Sequence, residues 1–113
     1  MYEYAKCSTC RKAQKYLDAN GVDYTLAPIR ETPPTKAELK RMLTITGDIK
    51  KLFNTSGLDY RALGIKDKLS GMSEAQALDL LASNGNLIKR PFMLSSENGA
   101  VGFDPKEWDR LIS

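Results

Sequence analysis

The order in which strand-like and helix-like patterning alternates is the strongest constraint on how this chain folds. Residues 1–6 read as a short strand. From Ser8 to Asn20 the apolar residues Ala13, Tyr16 and Leu17 recur at helical spacing, with Arg11, Lys12 and Lys15 able to face solvent. Asn20-Gly21 supplies the stop. Residues 23–27 then alternate as a second strand, with Tyr24 and Leu26 on one face and Pro28 blunting its end. Two strands joined through a helix pair in parallel, with a right-handed crossover.

The rest of the chain changes period again. Glu31-Thr32-Pro33-Pro34 reads as a linker, and Thr35-Lys36-Ala37-Glu38 as a capping box. Leu39, Met42 and Leu43 form the apolar stripe of the helix that follows, which Gly47 ends. Residues 49–53 and 59–63 are expected as short helical pieces around the Asn54-Thr55-Ser56-Gly57 turn, and residues 66–71 as a polar loop. Ser73-Glu74-Ala75-Gln76 opens another capped helix, which should bury Ala77, Leu80 and Leu81 and stop at Asn84-Gly85. Phe92-Met93-Leu94 is a strand, and Asn98-Gly99 between residues 92–95 and 100–103 signals a hairpin. Asp104-Pro105-Lys106-Glu107 starts a last helix whose buried side is Trp108, Leu111 and Ile112. The sum is β-α-β, a helical stretch over about residues 35–86, then β-β-α. That order predicts a single α/β domain over residues 1–113: a mixed sheet of about four strands, covered on both faces.

The chain has only two cysteines, and they stand together as Cys7-Ser8-Thr9-Cys10 on the first strand-to-helix turn. A thiolate there is favoured by free backbone N–H groups and the positive end of the helix dipole, with Arg11 and Lys12 adding charge. A second thiol one turn away can attack an adduct formed at the first. A structural zinc site needs four Cys or His ligands. With two cysteines and no histidine, one chain cannot complete it, which leaves only a site shared between chains. A disulfide across so short a loop would add little stability through chain entropy. Two inert thiols at a helix start remain the plain alternative.

No apolar run approaches the ~18 residues that span a membrane. The start, Met1-Tyr2-Glu3-Tyr4, leads into no signal-peptide core, so a cytoplasmic location is expected, where the thiol pair would be mostly reduced. The net charge of +3 comes from basic residues interleaved with acidic ones and does not itself argue for nucleic-acid binding, so no direct nucleic-acid partner is expected.

The element order with CxxC after its first strand is the thioredoxin arrangement carrying a helical insertion. Cys7-Ser8-Thr9-Cys10-Arg11-Lys12-Ala13 resembles the active-site turn of the ArsC/Spx family. That family comprises glutaredoxin-like arsenate reductases, YffB-type proteins and Spx-type transcriptional regulators of Gram-positive bacteria. Leu52-Phe53-Asn54-Thr55-Ser56-Gly57 is similar to its mid-domain segment, Leu87-Ile88-Lys89-Arg90-Pro91 to its arginine-proline signature, and Val101-Gly102-Phe103 to its C-terminal hairpin. The resemblance implies that Cys7 is the nucleophile. It places Cys10 where classical arsenate reductases carry serine and Spx-type proteins the second redox cysteine. It makes Arg90 the arginine that contacts an oxyanion, with Arg11 nearby, and Pro91 a cis proline shaping the groove. Lys50-Lys51 stands where the reductases have another arginine, offering charge but no planar fork. Asp104 stands near their third arginine, where it would repel an oxyanion.

The expected activity is therefore thiol oxidoreduction of the arsenate reductase type, on a small oxyanion or a thiol substrate. Cys7 attacks, Cys10 or glutathione resolves, and thioredoxin or glutaredoxin re-reduces the protein, with no bound cofactor and no metal. Without histidine, protons must come from solvent, substrate or the second thiol. One alternative is a redox switch that binds the RNA polymerase alpha subunit, against which counts the end of the pattern at the last helix, where Spx-type regulators carry a longer tail. Another is a glutathione-binding protein with little turnover.

Overall fold

A computed structural model describes residues 1–4, 7–95 and 98–112, the last without its side chain. Two of its strands are very short. Tyr2–Glu3 (β1) pairs in parallel with Ala27–Pro28 (β2) and antiparallel with Phe92–Leu94 (β3), which pairs antiparallel with Gly99–Val101 (β4). The resulting order, β2-β1-β3-β4, is the mixed four-stranded sheet that the periodicity predicts. Residues 5 and 6 of the expected first strand lie outside the described residues.

Side chains alternate across this sheet. Phe92 faces a core with Ile29, Leu39, Met42, Leu52, Phe53 and Leu81, where Lys36–Thr46 (α2) and Glu74–Ser83 (α5) pack. Met93 and Ala100 face the opposite core of Ala13, Leu17 and Trp108, built by Ser8–Ala19 (α1) and Pro105–Ile112 (α6). Both expected capping boxes form, Thr35 with Glu38 and Ser73 with Gln76. In α5 the buried residues are Ala77, Leu78 and Leu81, and Leu80 is only partly covered. In α6 Trp108 is buried and Leu111 packs beside it; the Ile112 side chain lies outside the described residues.

Three expectations are corrected. The second strand is not residues 23–27 but Ala27–Pro28. Ala27 and Ile29 donate their N–H groups to Met1 and Glu3, 2.9 Å each, so the missing N–H of Pro28 falls on the outer side of an edge strand. The inward residue is Ile29, fully buried, while Leu26 is 43% exposed. The expected loop at 66–71 is largely the helix Ile65–Leu69 (α4), which follows Leu58–Ala62 (α3). Ile65 and Leu69, four residues apart, are both buried, and this pair outweighs the polar residues between them. The first expected helical piece forms over residues 49–52, wound as a 3₁₀ turn. Finally, Asn98-Gly99 is not the hairpin turn: Gly99 pairs with Leu94 inside the ladder. Ser95 and Asn98 close the connection through Ser95 N–H to Asn98 O, 2.8 Å, and Asn98 N–H to Ser95 Oγ, 3.0 Å; residues 96 and 97 lie outside the described residues.

The helical insertion is docked on the sheet by backbone. Lys89 N–H donates to Leu52 O (2.8 Å), Asn54 N–H to Leu87 O (2.7 Å), and Phe53 bridges Ile88. At its far end Gly85 lies so close to β2 that a Cβ there would sit 1.9 Å from the Ile29 carbonyl oxygen. The obstacle is backbone, so Gly85→Ala should cost about 2–3 kcal/mol, the scale of overpacking in a tight core. Urea unfolding would check this; a loss below about 0.5 kcal/mol, the range of neutral surface changes, would contradict the contact.

Candidate functional site

The Cys7–Cys10 turn is built by backbone geometry at the end of β1. Cys7 N–H donates to Tyr4 O (2.9 Å), and Cys7 then adopts the extended conformation of a helix N-cap, φ −85° and ψ 113°. Its sulfur takes the place of the usual capping oxygen: the Cys10 N–H donates to Cys7 Sγ, 3.2 Å. The sulfur therefore meets a backbone donor at the positive end of the α1 dipole, and the first turn of α1 holds no acidic residue to oppose it. Both thiols are free. Cys7 is half-buried, whereas Cys10 is fully buried beneath it.

Burial pushes the Cys10 thiol up to about 12, and its hydrogen bond with Cys7 adds to the shift. Cys10 is thus protonated at neutral pH. Limited alkylation there should label Cys7 well before Cys10, read by peptide mapping; equal or reversed labelling would contradict the arrangement. The same shift carries a sign for stability. The folded Cys10 value lies above its ordinary 9.0, so the contribution is complete below pH 9 and is lost as pH rises towards about 12.

Opposite the first strand, the Arg90–Pro91 peptide bond is cis, as the resemblance implies. It enters β3 directly, and Pro91 O accepts the Gly102 N–H, 2.9 Å. Gly102, at φ 70°, holds a left-handed conformation that suits glycine. Arg90 lies with its guanidinium carbon 4.8 Å from the Tyr4 ring centroid. Its Nη1 is buried and has no hydrogen-bond partner among the described residues.

An open cleft of ≈ 940 Å³ joins several of the expected residues. Thr9 of the cysteine turn, Lys51, Arg90 and Asp104 line it, together with Glu107 and Arg110. Lys50 does not line it; its backbone N–H bonds the Asp48 carboxylate, 2.9 Å, and its side chain is exposed. Arg11 and Lys12 are exposed on α1 and do not line it either. Asp104 accepts the Lys106 N–H at 3.0 Å, so the residue that departs from the arginine pattern also starts α6.

Two neighbours of Arg90 escaped the sequence reading. Tyr4 precedes the cysteine turn, and Arg30 follows β2 with its guanidinium carbon 5.1 Å from the same ring. The signal that could have found them is the parallel register: Glu3 opposite Pro28 brings the ends of β1 and β2 together.

A mixed sheet clothed by helices on both faces, with a thiol pair on the first strand-to-helix turn and a cis proline entering the third strand, defines a thioredoxin-like protein. Residues 2–111 match the model of the ArsC family, and the chain belongs to that family. The uncharacterized protein YusI of Bacillus subtilis is 49% identical over 109 residues, covering 96% of this chain and 92% of its own. A structure described as a possible arsenate reductase from Streptococcus mutans superposes with a TM-score of 0.86 at 44% identity, covering 96% and 94% of the two chains. The global transcriptional regulator Spx 2 of Bacillus anthracis is 29% identical over 113 residues, 99% of this chain and 85% of the regulator. Among the described residues no helix is long and apolar enough to cross a membrane.

Proposed function

We propose that this protein is a cytoplasmic thiol oxidoreductase of the arsenate reductase type, with Cys7 as nucleophile and Cys10 as resolving thiol. The observation that carries this reading is the sulfur of Cys7 at the α1 N-cap, receiving the Cys10 N–H, with the Cys10 thiol buried and protonated one turn deeper. The partially accessible thiol is the one a substrate reaches first. Its thiolate attacks a disulfide sulfur, forming one S–S bond as the old one breaks and its other half leaves as thiolate. Cys10 then attacks Cys7 Sγ as its proton passes to the departing sulfur, so the second half leaves as a thiol and a Cys7–Cys10 disulfide remains. With arsenate, two thiols supply the two electrons that convert As(V) to As(III), glutathione serving as the second thiol where Cys10 does not. A thioredoxin or glutaredoxin returns both electrons to the protein. Arg90 and Lys51 supply positive charge in the cleft for an oxyanion.

The test is turnover of arsenate and of small disulfides, supplied separately with glutathione plus glutaredoxin and with thioredoxin plus its reductase. Turnover with either donor is the expected result. No turnover of any substrate would sink the reading.

A second reading has its own support. Asp104 and Glu107 put two carboxylates into the cleft, against an oxyanion, and Spx 2 is similar over nearly the whole chain. On this reading the protein is a redox switch for the RNA polymerase alpha subunit, and its affinity for that subunit differs between dithiol and disulfide forms.

A further inference from the structure

Two guanidiniums share one aromatic ring, that of Tyr4. The Arg90 guanidinium carbon lies 4.8 Å from the Tyr4 ring centroid and that of Arg30 5.1 Å. Arg30 also donates from Nη1 to the Tyr4 hydroxyl oxygen, 3.1 Å. Tyr4 in turn accepts the Cys7 backbone N–H on its carbonyl, 2.9 Å. The backbone that carries the shared ring is therefore bonded to the turn that presents the Cys7 sulfur.

Gathering two cations on one ring costs Coulomb energy, which the ring face offsets only in part. An ion pair would offset more. Among the described residues neither arginine makes one. Arg90 Nη1 is moreover buried without a hydrogen-bond acceptor among those residues, a costly state for a charged donor. An acceptor from outside the chain would meet both deficits. A carboxylate fits: it is planar, anionic and matched to the guanidinium fork. The Tyr4 hydroxyl, which receives a hydrogen bond from Arg30, still has its own hydrogen to donate.

We propose that Arg30, Arg90 and Tyr4 form a carboxylate-binding subsite beside Cys7, which selects thiol and disulfide substrates bearing a carboxylate. The subsite rests on the oxidoreductase reading and names its substrate class. Arg30 is the specificity-determining member: it lies outside the cleft that Arg90 lines, and it is exposed, so it can be changed without opening the core.

Iodoacetate and iodoacetamide provide the test. Both alkylate a thiolate with loss of iodide, and they differ in carboxylate against neutral amide. The ratio of their rates, read at Cys7 by peptide mapping, cancels any change in the reactivity of the thiol itself. Arg30→Gln should lower the iodoacetate-to-iodoacetamide ratio roughly tenfold, the factor of one charge-assisted contact, and Arg30→Lys should restore part of it. An unchanged ratio in Arg30→Gln overturns the subsite. In a parallel arm, glutathione disulfide is compared with the neutral hydroxyethyl disulfide, and the same loss of preference is expected. If no disulfide reacts while the alkylation ratio still depends on Arg30, the oxidoreductase reading falls and the subsite stands. If disulfides exchange with equal preference in wild type and Arg30→Gln, only the subsite falls.

Discussion

Cys7→Ser should return both arsenate and disulfide turnover to background with either electron donor. A serine hydroxyl stays protonated at neutral pH and has no lone thiolate to attack with, so keeping the N-cap does not keep the chemistry. The cap itself should survive, because serine is a favoured capping residue and can accept the same Cys10 N–H. Loss of turnover at unchanged melting temperature is therefore the expected signature. Cys10→Ser separates the two steps. It leaves the first attack in place and removes the internal resolving thiol, so glutathione disulfide should leave one glutathionyl group on Cys7, seen by intact mass. Substantial turnover in Cys7→Ser would move the nucleophile elsewhere, and Cys10 is the only other thiol in the chain.

The second large effect concerns stability. Trp108 is completely buried between α1, α6 and the sheet. Its ring meets Phe103 and Tyr16 edge to face, with centroids 5.3 Å and 6.4 Å away, and its Nε1–H donates to Gly102 O at 3.0 Å. Tyr16 is held from the other side by its hydroxyl bond to Asp109. Trp108→Ala should cost about 3–5 kcal/mol, through the cavity it leaves and the carbonyl it orphans. A domain of this size has only about 5–15 kcal/mol to lose, so the variant should stand near the edge of unfolding. Trp108→Phe keeps most of the burial and loses only the hydrogen bond, and should cost about 1–3 kcal/mol. Equilibrium urea unfolding measures both; a cost under about 1 kcal/mol for the alanine variant would mean that this layer repacks.

Gly102 links this core to the site. Its carbonyl receives Trp108 and its N–H donates to Pro91 O, so the hairpin that Trp108 anchors also holds the segment that presents Arg90. Trp108→Ala is thus expected to weaken anion recognition at Arg90 along with stability. Trp108→Phe separates the two, since it leaves the layer filled.

Short-range rules carried much of the reading. Two capping boxes, the Asn20-Gly21 stop, the proline at the start of α6 and the thiols on a strand-to-helix turn are decided within four or five residues, and all of them stand in the structure. The rules failed where a distant backbone decides the outcome. Residues 23–27 alternate as a strand would, yet only Ala27 of them pairs with β1, in a two-residue strand that ends at Pro28 as the local pattern says. Residues 66–71 look like loop until Ile65 and Leu69 find a core to enter. Asn98-Gly99 looks like a turn until pairing with Leu94 draws Gly99 into the ladder.

By itself, then, the sequence determined the order of elements, the two-faced sheet and the position of both cysteines, since periodicity, capping and spacing are local properties of the chain. Only the tertiary structure decided that Cys10 lies buried beneath Cys7, that Lys51 rather than Lys50 reaches the cleft, and that Arg30 joins Arg90 on Tyr4. These are meetings between residues 26 or more positions apart, or differences in burial between neighbours. Each depends on strand register and layer packing, which bring distant side chains together without leaving a pattern along the chain.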